Sequence, residues 1–347
     1  MFKSIFHVFL VFIICITASG IPVDRSTFDF SQNFFTHKDN TSHSINSEKS
    51  SLQDPIPKRQ ILYTSLPTYI PTVNETARGM MGLTLFFPDK TNPQDLIPVT
   101  RFVKNTRTPL RTVIHHLHEG ALGLTSPVPN ISKLQVQNNM VIVHLPVTLN
   151  QYNENALSGK VILQSLVYSL TSVSGIDQVK FLVDGKESDN LFGDYSTKTI
   201  FTPNDQPRAY LGLNHNNKRV LLVPKKIDSV PTAHTIENMI HSLQTTKISN
   251  TSLNHLIATI PSNVALIDFS HKGSLLELNF NQAFLQAYVD RADLQAMMID
   301  SILLSFTSMK DIESVQILVD NQPVQSLGNI DLSVPLNKPK FTNPESS

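Results

Sequence analysis

The chain has 347 residues, 40% of them hydrophobic and 16% charged, which is room for two domains of ordinary size. Lysine plus arginine and aspartate plus glutamate number 28 each, so no net field draws in a polyanion, and nucleic acid is not expected as a partner. Cys15 is the single cysteine, so an intramolecular disulfide is excluded and packing alone must hold the fold.

The amino terminus reads as an export signal. Lys3 precedes a nearly unbroken apolar run from Ile5 to Ile16, and Ala18-Ser19-Gly20 supplies the small residues that a signal peptidase reads. The run is shorter than the ~20 residues of a comfortable membrane span. Residues 1–20 are therefore expected to be a signal peptide that carries the chain outside the cytoplasmic membrane, with membrane contact only through this segment. Two membrane-anchored readings stay open: an uncleaved signal segment, or Cys15 as the lipid-modified residue of a lipoprotein, although Phe12, Ile13 and Ile14 are bulkier than that motif wants. Residues 21–76 are rich in Ser, Asn, Gln, Lys and Pro and show neither helical nor strand periodicity. Such a stretch buries too little apolar area to offset its ordering entropy, and a flexible tether is expected there.

Regular structure begins with Leu83 to Phe87, a strand stopped by the turn-forming run Pro88 to Pro93, with Leu96 to Val103 returning as its hairpin partner. Pro109 opens a helix that runs through His118. Lys133 to Val136 and Met140 to Leu145 form a second hairpin around Asn138-Asn139. Leu163, Leu166, Val167, Leu170 and Val173 fall at helical spacing and make one apolar stripe. The strand that follows is apolar on both faces at Phe181, Leu182 and Val183, as in a central strand, and Asp184-Gly185 ends it with turn chemistry. The order is β-β-α-β-β-α-β over residues 77–203. The turn-rich loop Thr202 to Arg208 marks a boundary.

Residues 207–336 repeat this unit. Val179 to Asp184 is echoed by Val315 to Asp320, 136 residues on, and Ser169-Leu-Thr-Ser172 by Ser305-Phe-Thr-Ser308 at the same spacing. The same shift carries the helical stripe onto Ile299, Ile302, Leu303, Phe306 and Met309, every one apolar. Leu96 to Val103 aligns with Val220 to Ile227, 124 residues on, so the second copy holds extra loop residues between these blocks. Leu275 to Phe280 supplies the alternating strand of copy two, and residues 337–347 read as a flexible tail. The expected architecture is α+β: two tandem small domains, each with two helices packed on one face of a small sheet, leaving the other face or an edge strand accessible.

A search for chemistry assigns no catalytic, cofactor-binding or metal residue. His115, His116, His118 and Glu119 are the densest cluster of potential ligands, and His115 and His118 could share a helix face. The cluster lacks an H-E-x-x-H order and a nearby cysteine, and the matching helix of copy two offers only His241, so a surface helix with incidental histidines is the preferred reading. No G-x-S-x-G elbow and no glycine-rich phosphate loop occurs. Ser174-Gly175 reads as a helix stop, and Asp184 and Asp320 as turn formers at separate strand ends. Arg101 and Asp89 are expected to pair across the first hairpin and pin its register.

The runs Leu85 to Lys90, Pro98 to Arg101, Leu124 to Pro129, Val167 to Thr171 and Phe181 to Gly185 together resemble the GerM domain (GerMN) of sporulation and germination proteins. Copy two keeps Leu318-Val-Asp320 and the helical stripe but lacks a counterpart of Phe87-Pro-Asp89, and the two copies span about Gly79 to Leu336. The resemblance implies a non-enzymatic extracytoplasmic protein of endospore-forming bacteria, similar to the ring-building modules of the sporulation channel. It would support endospore formation and germination by protein–protein assembly in an envelope complex. The partners implied are envelope or sporulation-complex proteins, with self-association also open, and no cofactor. The alternative is an envelope enzyme or ligand-binding protein acting on peptidoglycan or a small solute at the domain interface.

Overall fold

The computed structural model describes residue 63 and residues 65–146, 156–204, 206–227, 234–248 and 251–345. The expected signal peptide, Cys15 and residues 21–62 of the expected tether lie outside the described residues. After a short strand β1 (Thr68–Tyr69), the first repeat runs β2 (Met80–Pro88), β3 (Leu96–Lys104), α1 (Pro109–Glu119), β4 (Lys133–Gln137), β5 (Met140–Leu145), α2 (Ala156–Thr171) and β6 (Gln178–Val183), the order expected, with β7 (Ile200–Phe201) added. The second repeat runs β8 (Arg208–His215), β9 (Arg219–Lys226), α3 (Thr235–Thr245), three two-residue strands β10 (Lys247–Ile248), β11 (Thr251–Ser252) and β12 (Leu256–Ile257), then β13 (Leu266–Lys272), β14 (Leu275–Phe280), α4 (Ala292–Phe306) and β15 (Ser314–Val319). Short strands β16 (Gln322–Pro323), β17 (Ser326–Leu327), β18 (Ile330–Asp331) and β19 (Leu336–Asn337) follow. The insertion β10–β12 is where much of copy two's extra length lies.

Each repeat divides its strands between a hairpin and a second sheet. In the first, β2 pairs with β3, while β4, β5, β6 and β7 form a sheet whose central pair is parallel. In the second, β8 and β9 pair, and β13, β14, β15 and β16 form the second sheet around the parallel pair β14–β15. A parallel pair needs a crossover, and α2 and α4 supply it. The expected stripe faces inward: Leu163, Leu166, Val167, Leu170 and Val173 are buried, as are Ile299, Ile302, Leu303 and Phe306, with Met309 partly so. Each such side chain contributes about 1.5–3 kcal/mol when fully enclosed. Gly159 sits inside α2 because a Cβ there would collide with the carbonyl oxygen of Phe192. The shorter helices add a second apolar contact, α1 through Leu110, Val113, Ile114 and Leu117, and α3 through Met239, Ile240 and Leu243.

The matched serines explain the strongest signal of the repeat. In α2, Ser165 Oγ donates to Phe86 O (2.6 Å), Ser169 Oγ accepts from Phe86 N (2.9 Å) and Ser172 Oγ donates to Thr84 O (2.9 Å). In α4, Ser301 Oγ donates to Tyr210 O (2.6 Å), Ser305 Oγ accepts from Tyr210 N (2.9 Å) and Ser308 Oγ accepts from Arg208 N (2.8 Å). Each long helix therefore lies along the outer edge of its hairpin and satisfies backbone groups that would otherwise be left open. These bonds also fix the alignment of the copies. Phe86 faces Pro98 and Tyr210 faces Pro224, so the two prolines correspond, 126 residues apart rather than the 124 read from sequence. A two-residue slip keeps every side chain on its own face of a strand, so apolar patterning could not detect it.

Residues 68–73 of the expected tether and 341–345 of the expected tail are built into the fold and are not free there. β1 pairs in parallel with β9, and the Tyr69 side chain is buried. Asp300 on α4 accepts from Tyr69 Oη (2.9 Å), Thr72 N (2.8 Å) and Thr72 Oγ1 (2.7 Å). Arg291 donates to the carbonyls of Tyr63, Leu66 and Pro67. At the other end, Phe341 exchanges backbone bonds with Val73, and Thr100 N donates to Asn343 O (3.2 Å) while Glu345 N donates to Thr100 O (2.9 Å). Glycine at position 82 leaves room for the Phe341 ring, with which a Cβ would collide. The Asn343 amide, fully buried, donates to Pro98 O and Leu222 O and accepts from Leu222 N, each at 2.8 Å. The carboxyl-terminal segment thus runs between β3 of the first repeat and β9 of the second. The apolar interiors of the two repeats are continuous across this seam. Polar composition suggested free segments, but these residues gain partners more than 100 positions away.

Candidate functional site

The histidine cluster assembles differently from the spacing argument. His118 Nδ1 bonds the carbonyl of Ile114 on its own helix (2.9 Å), and it is His115 and His116 that converge on Glu119, at 3.1 Å and 2.7 Å. The His116 hydrogen bond, then the nearby positive charges, hold the Glu119 carboxyl below its ordinary range. Arg101 Nη1 also donates to Glu119 (3.1 Å), occupying one side of the group with a fixed cation. His115 is 66% exposed at its side chain. The geometry is that of a solvated ion-pair cluster on α1.

Asp184 and Asp320 each adopt a left-handed conformation at a strand end (φ 48° and 47°) and donate their backbone N–H to Leu145 O and Phe280 O respectively. They are matched turn residues. Gly175, at φ 85°, follows the last turn of α2.

The expected Arg101–Asp89 pair does not form. Arg101 instead holds Glu345 of the tail with two bonds, Nε to Oε2 (2.5 Å) and Nη2 to Oε1 (2.8 Å), and hydrogen bonding to Glu345 leads the causes that raise its pKa. Asp89 turns inward: it is 4% exposed, and its Oδ1 accepts from Thr91 N (3.0 Å). The neighbouring Asp95 forms an ion pair with Lys225 of the second repeat. Two further contacts tie the repeats, a bond from Arg208 Nη2 to Tyr168 Oη with the guanidinium over the tyrosine ring, and His215 Nε2 at 2.6 Å from Leu122 O. Sequence reasoning missed these pairs because their members stand 40 to 130 positions apart without a local pattern.

Two open grooves flank the seam. One, of about 560 Å³, is lined by Phe86, Tyr168, Tyr210 and Phe341 among others; the other, of about 880 Å³, by Thr72, Asp293, Ile299 and Asp300. Burial pushes the Asp300 carboxyl above its ordinary pKa, yet all three of its acceptor contacts serve the amino-terminal segment. Asp293 is likewise engaged, by Arg291 and by Tyr69 N. The polar groups here hold chain ends in place.

The accessible backbone lies elsewhere. β4 and β13 each end their sheets, bonded on one side only among the described strands. β4 is exposed along most of its length, with Val136 at 54%, and β13 carries Ile267 at 51%. An end strand with unpaired N–H and C=O groups is a template for another chain. The edges of β2, β3, β8 and β9 are covered by helix serines, by β12 or by chain termini, whereas β4 and β13 are the long end strands of their sheets, opposite the two-residue end strands β7 and β16.

This arrangement, two α+β repeats fused through their hairpins, is that of a tandem module protein. Residues 84–189 and 205–325 match the family model "Germane: sporulation and spore germination", one segment on each repeat, and the chain belongs to that family. Among solved structures, the tandem GerMN domains of the sporulation protein GerM from Bacillus subtilis superpose with a TM-score of 0.56 at 19% identity, covering 76% of this chain and 99% of that one. The shared fold is therefore the tandem GerMN fold. The first GerMN domain of the same protein matches with a TM-score of 0.31 at 12% identity, covering 38% of this chain and 96% of that one. No curated protein matches the chain.

Proposed function

We infer that this chain is a non-enzymatic assembly component that works outside the cytoplasmic membrane in endospore formation and germination. It joins envelope or sporulation-complex proteins, or further copies of itself, through the open strands β4 and β13. The observation that carries the reading is the contrast between covered and open edges. Natural sheets commonly blunt their edges, and strand addition to an open one gives affinity through main-chain bonds and specificity through alternate side chains. Two such edges on one chain add avidity, because the second contact becomes intramolecular. The apolar run before Ala18-Ser19-Gly20 supports export, and mass spectrometry of the mature amino terminus separates a cleaved signal from acylation at Cys15. A strain lacking the protein is expected to grow normally in the vegetative phase and to yield fewer heat-resistant spores or spores slow to germinate. Wild-type spore yield together with wild-type germination in that strain would contradict the reading.

A further inference from the structure

We propose that Asp89, Asp95 and His255 form a divalent transition-metal site that clips the first hairpin loop to the second repeat. Asp89 and Asp95 bracket the loop between β2 and β3, which is closed by a bond from Asp89 N to Asp95 O (2.8 Å) and turned by Thr91 N on Asp89 Oδ1. His255 comes from the second repeat, immediately before β12. One ligand atom from each of the three lies within 4.8 Å of the other two. Atoms bound to one ion at about 2.0–2.2 Å stand at most about 4.4 Å apart, so small side-chain rotations close the set.

Two further observations point to a ligand. The second oxygen of Asp89 and Nε2 of His255 are both buried, with no hydrogen-bond partner among the described residues. Asp89 itself is 96% enclosed, where an unsatisfied carboxylate oxygen is costly. The charges also do not balance. The buried ammonium of Lys225 pairs with Asp95, and Asp89 has no ion pair with a cation among the described residues. A divalent ion on Asp89 and His255, sharing Asp95 with Lys225, satisfies both orphaned atoms and the missing charge. Imidazole with carboxylates suits zinc or manganese better than magnesium or calcium, which prefer all-oxygen sites. The ligand atoms of His115, His116 and Glu119 on α1 also lie within 4.8 Å of one another, but these residues already pair with one another and with Arg101.

The site is tested on the full chain by calorimetric titration with zinc, manganese and magnesium, alongside thermal melting. Wild-type protein is expected to take up one zinc ion per chain and to melt at a higher temperature with it, with magnesium inactive. Asp89→Asn and His255→Gln should each weaken zinc binding by at least about tenfold and remove the melting shift. Lys225→Met frees Asp95 and should tighten zinc binding, which a purely structural role for these residues does not predict. Circular dichroism of each variant confirms that it is folded. Absence of saturable zinc binding by the wild type overturns the proposal. So does binding that survives both ligand variants and disappears on replacing His115 and His116 by alanine.

Discussion

Asn343 stands in the left-handed region at φ 48° with its side chain enclosed. Asparagine tolerates that conformation better than most residues, and its amide alone offers both a donor pair and an acceptor to the two strands it separates. An isosteric carboxylate cannot donate. Asn343→Asp is therefore expected to leave Pro98 O and Leu222 O unsatisfied and to place a charge beside them, a loss of at least about 3 kcal/mol. Denaturant unfolding measures it, and a loss below about 1 kcal/mol would remove Asn343 from its place in the seam. Nothing in the local sequence announces this residue, since it lies in an eleven-residue polar tail with neither periodicity nor repeat partner. Arg101 teaches the same lesson. The residue that satisfies it, Glu345, lies 244 positions away, so a cross-strand argument from the hairpin alone chose the wrong carboxylate.

At the scale of elements, local patterning placed the main helices and strands, even α4, which is buried at every position from Leu294 to Phe306. The stripes on α2 and α4 and the hairpin β4–β5 follow from 3.6- and 2-residue spacing, and the central strands β6 and β15 from their apolar runs; the helices end at Thr171 and Phe306, so Val173 and Met309 of the stripes lie just beyond them. Patterning failed where pairing with a distant strand defines the element, as at β1, whose two residues exist as a strand only through β9. The serine positions were visible as a repeat, but their role was not, because a helical serine reads equally well as a solvated face. The double change Ser165→Ala and Ser169→Ala strips both partners from the Phe86 peptide groups and is expected to destabilise the protein by about 2–4 kcal/mol. Ser301→Ala with Ser305→Ala, acting on Tyr210, should cost a similar amount. Unequal effects, with one pair neutral in denaturant unfolding, would show that edge capping is not shared by the copies.

For the whole molecule, duplication, repeat order and family resemblance were legible in the sequence, because each is a relation between local patterns. The fusion of the copies was not. It arises where β3 and β9 face a common segment and where the chain ends close over both repeats, bringing together residues that only the folded topology makes neighbours. The assembly reading depends on the end strands β4 and β13, one from each repeat, which lie in sheets other than the fused hairpins. Val136→Lys combined with Ile267→Lys puts a charge on each open edge, a device natural sheets use against strand addition. Both side chains are half-exposed, so folded stability should change by less than about 1 kcal/mol. The direct test is to express this double variant in the strain that lacks the protein and count heat-resistant spores. The account predicts a stable, exported protein that fails to restore spore yield or germination; full restoration with both edges blocked would contradict it.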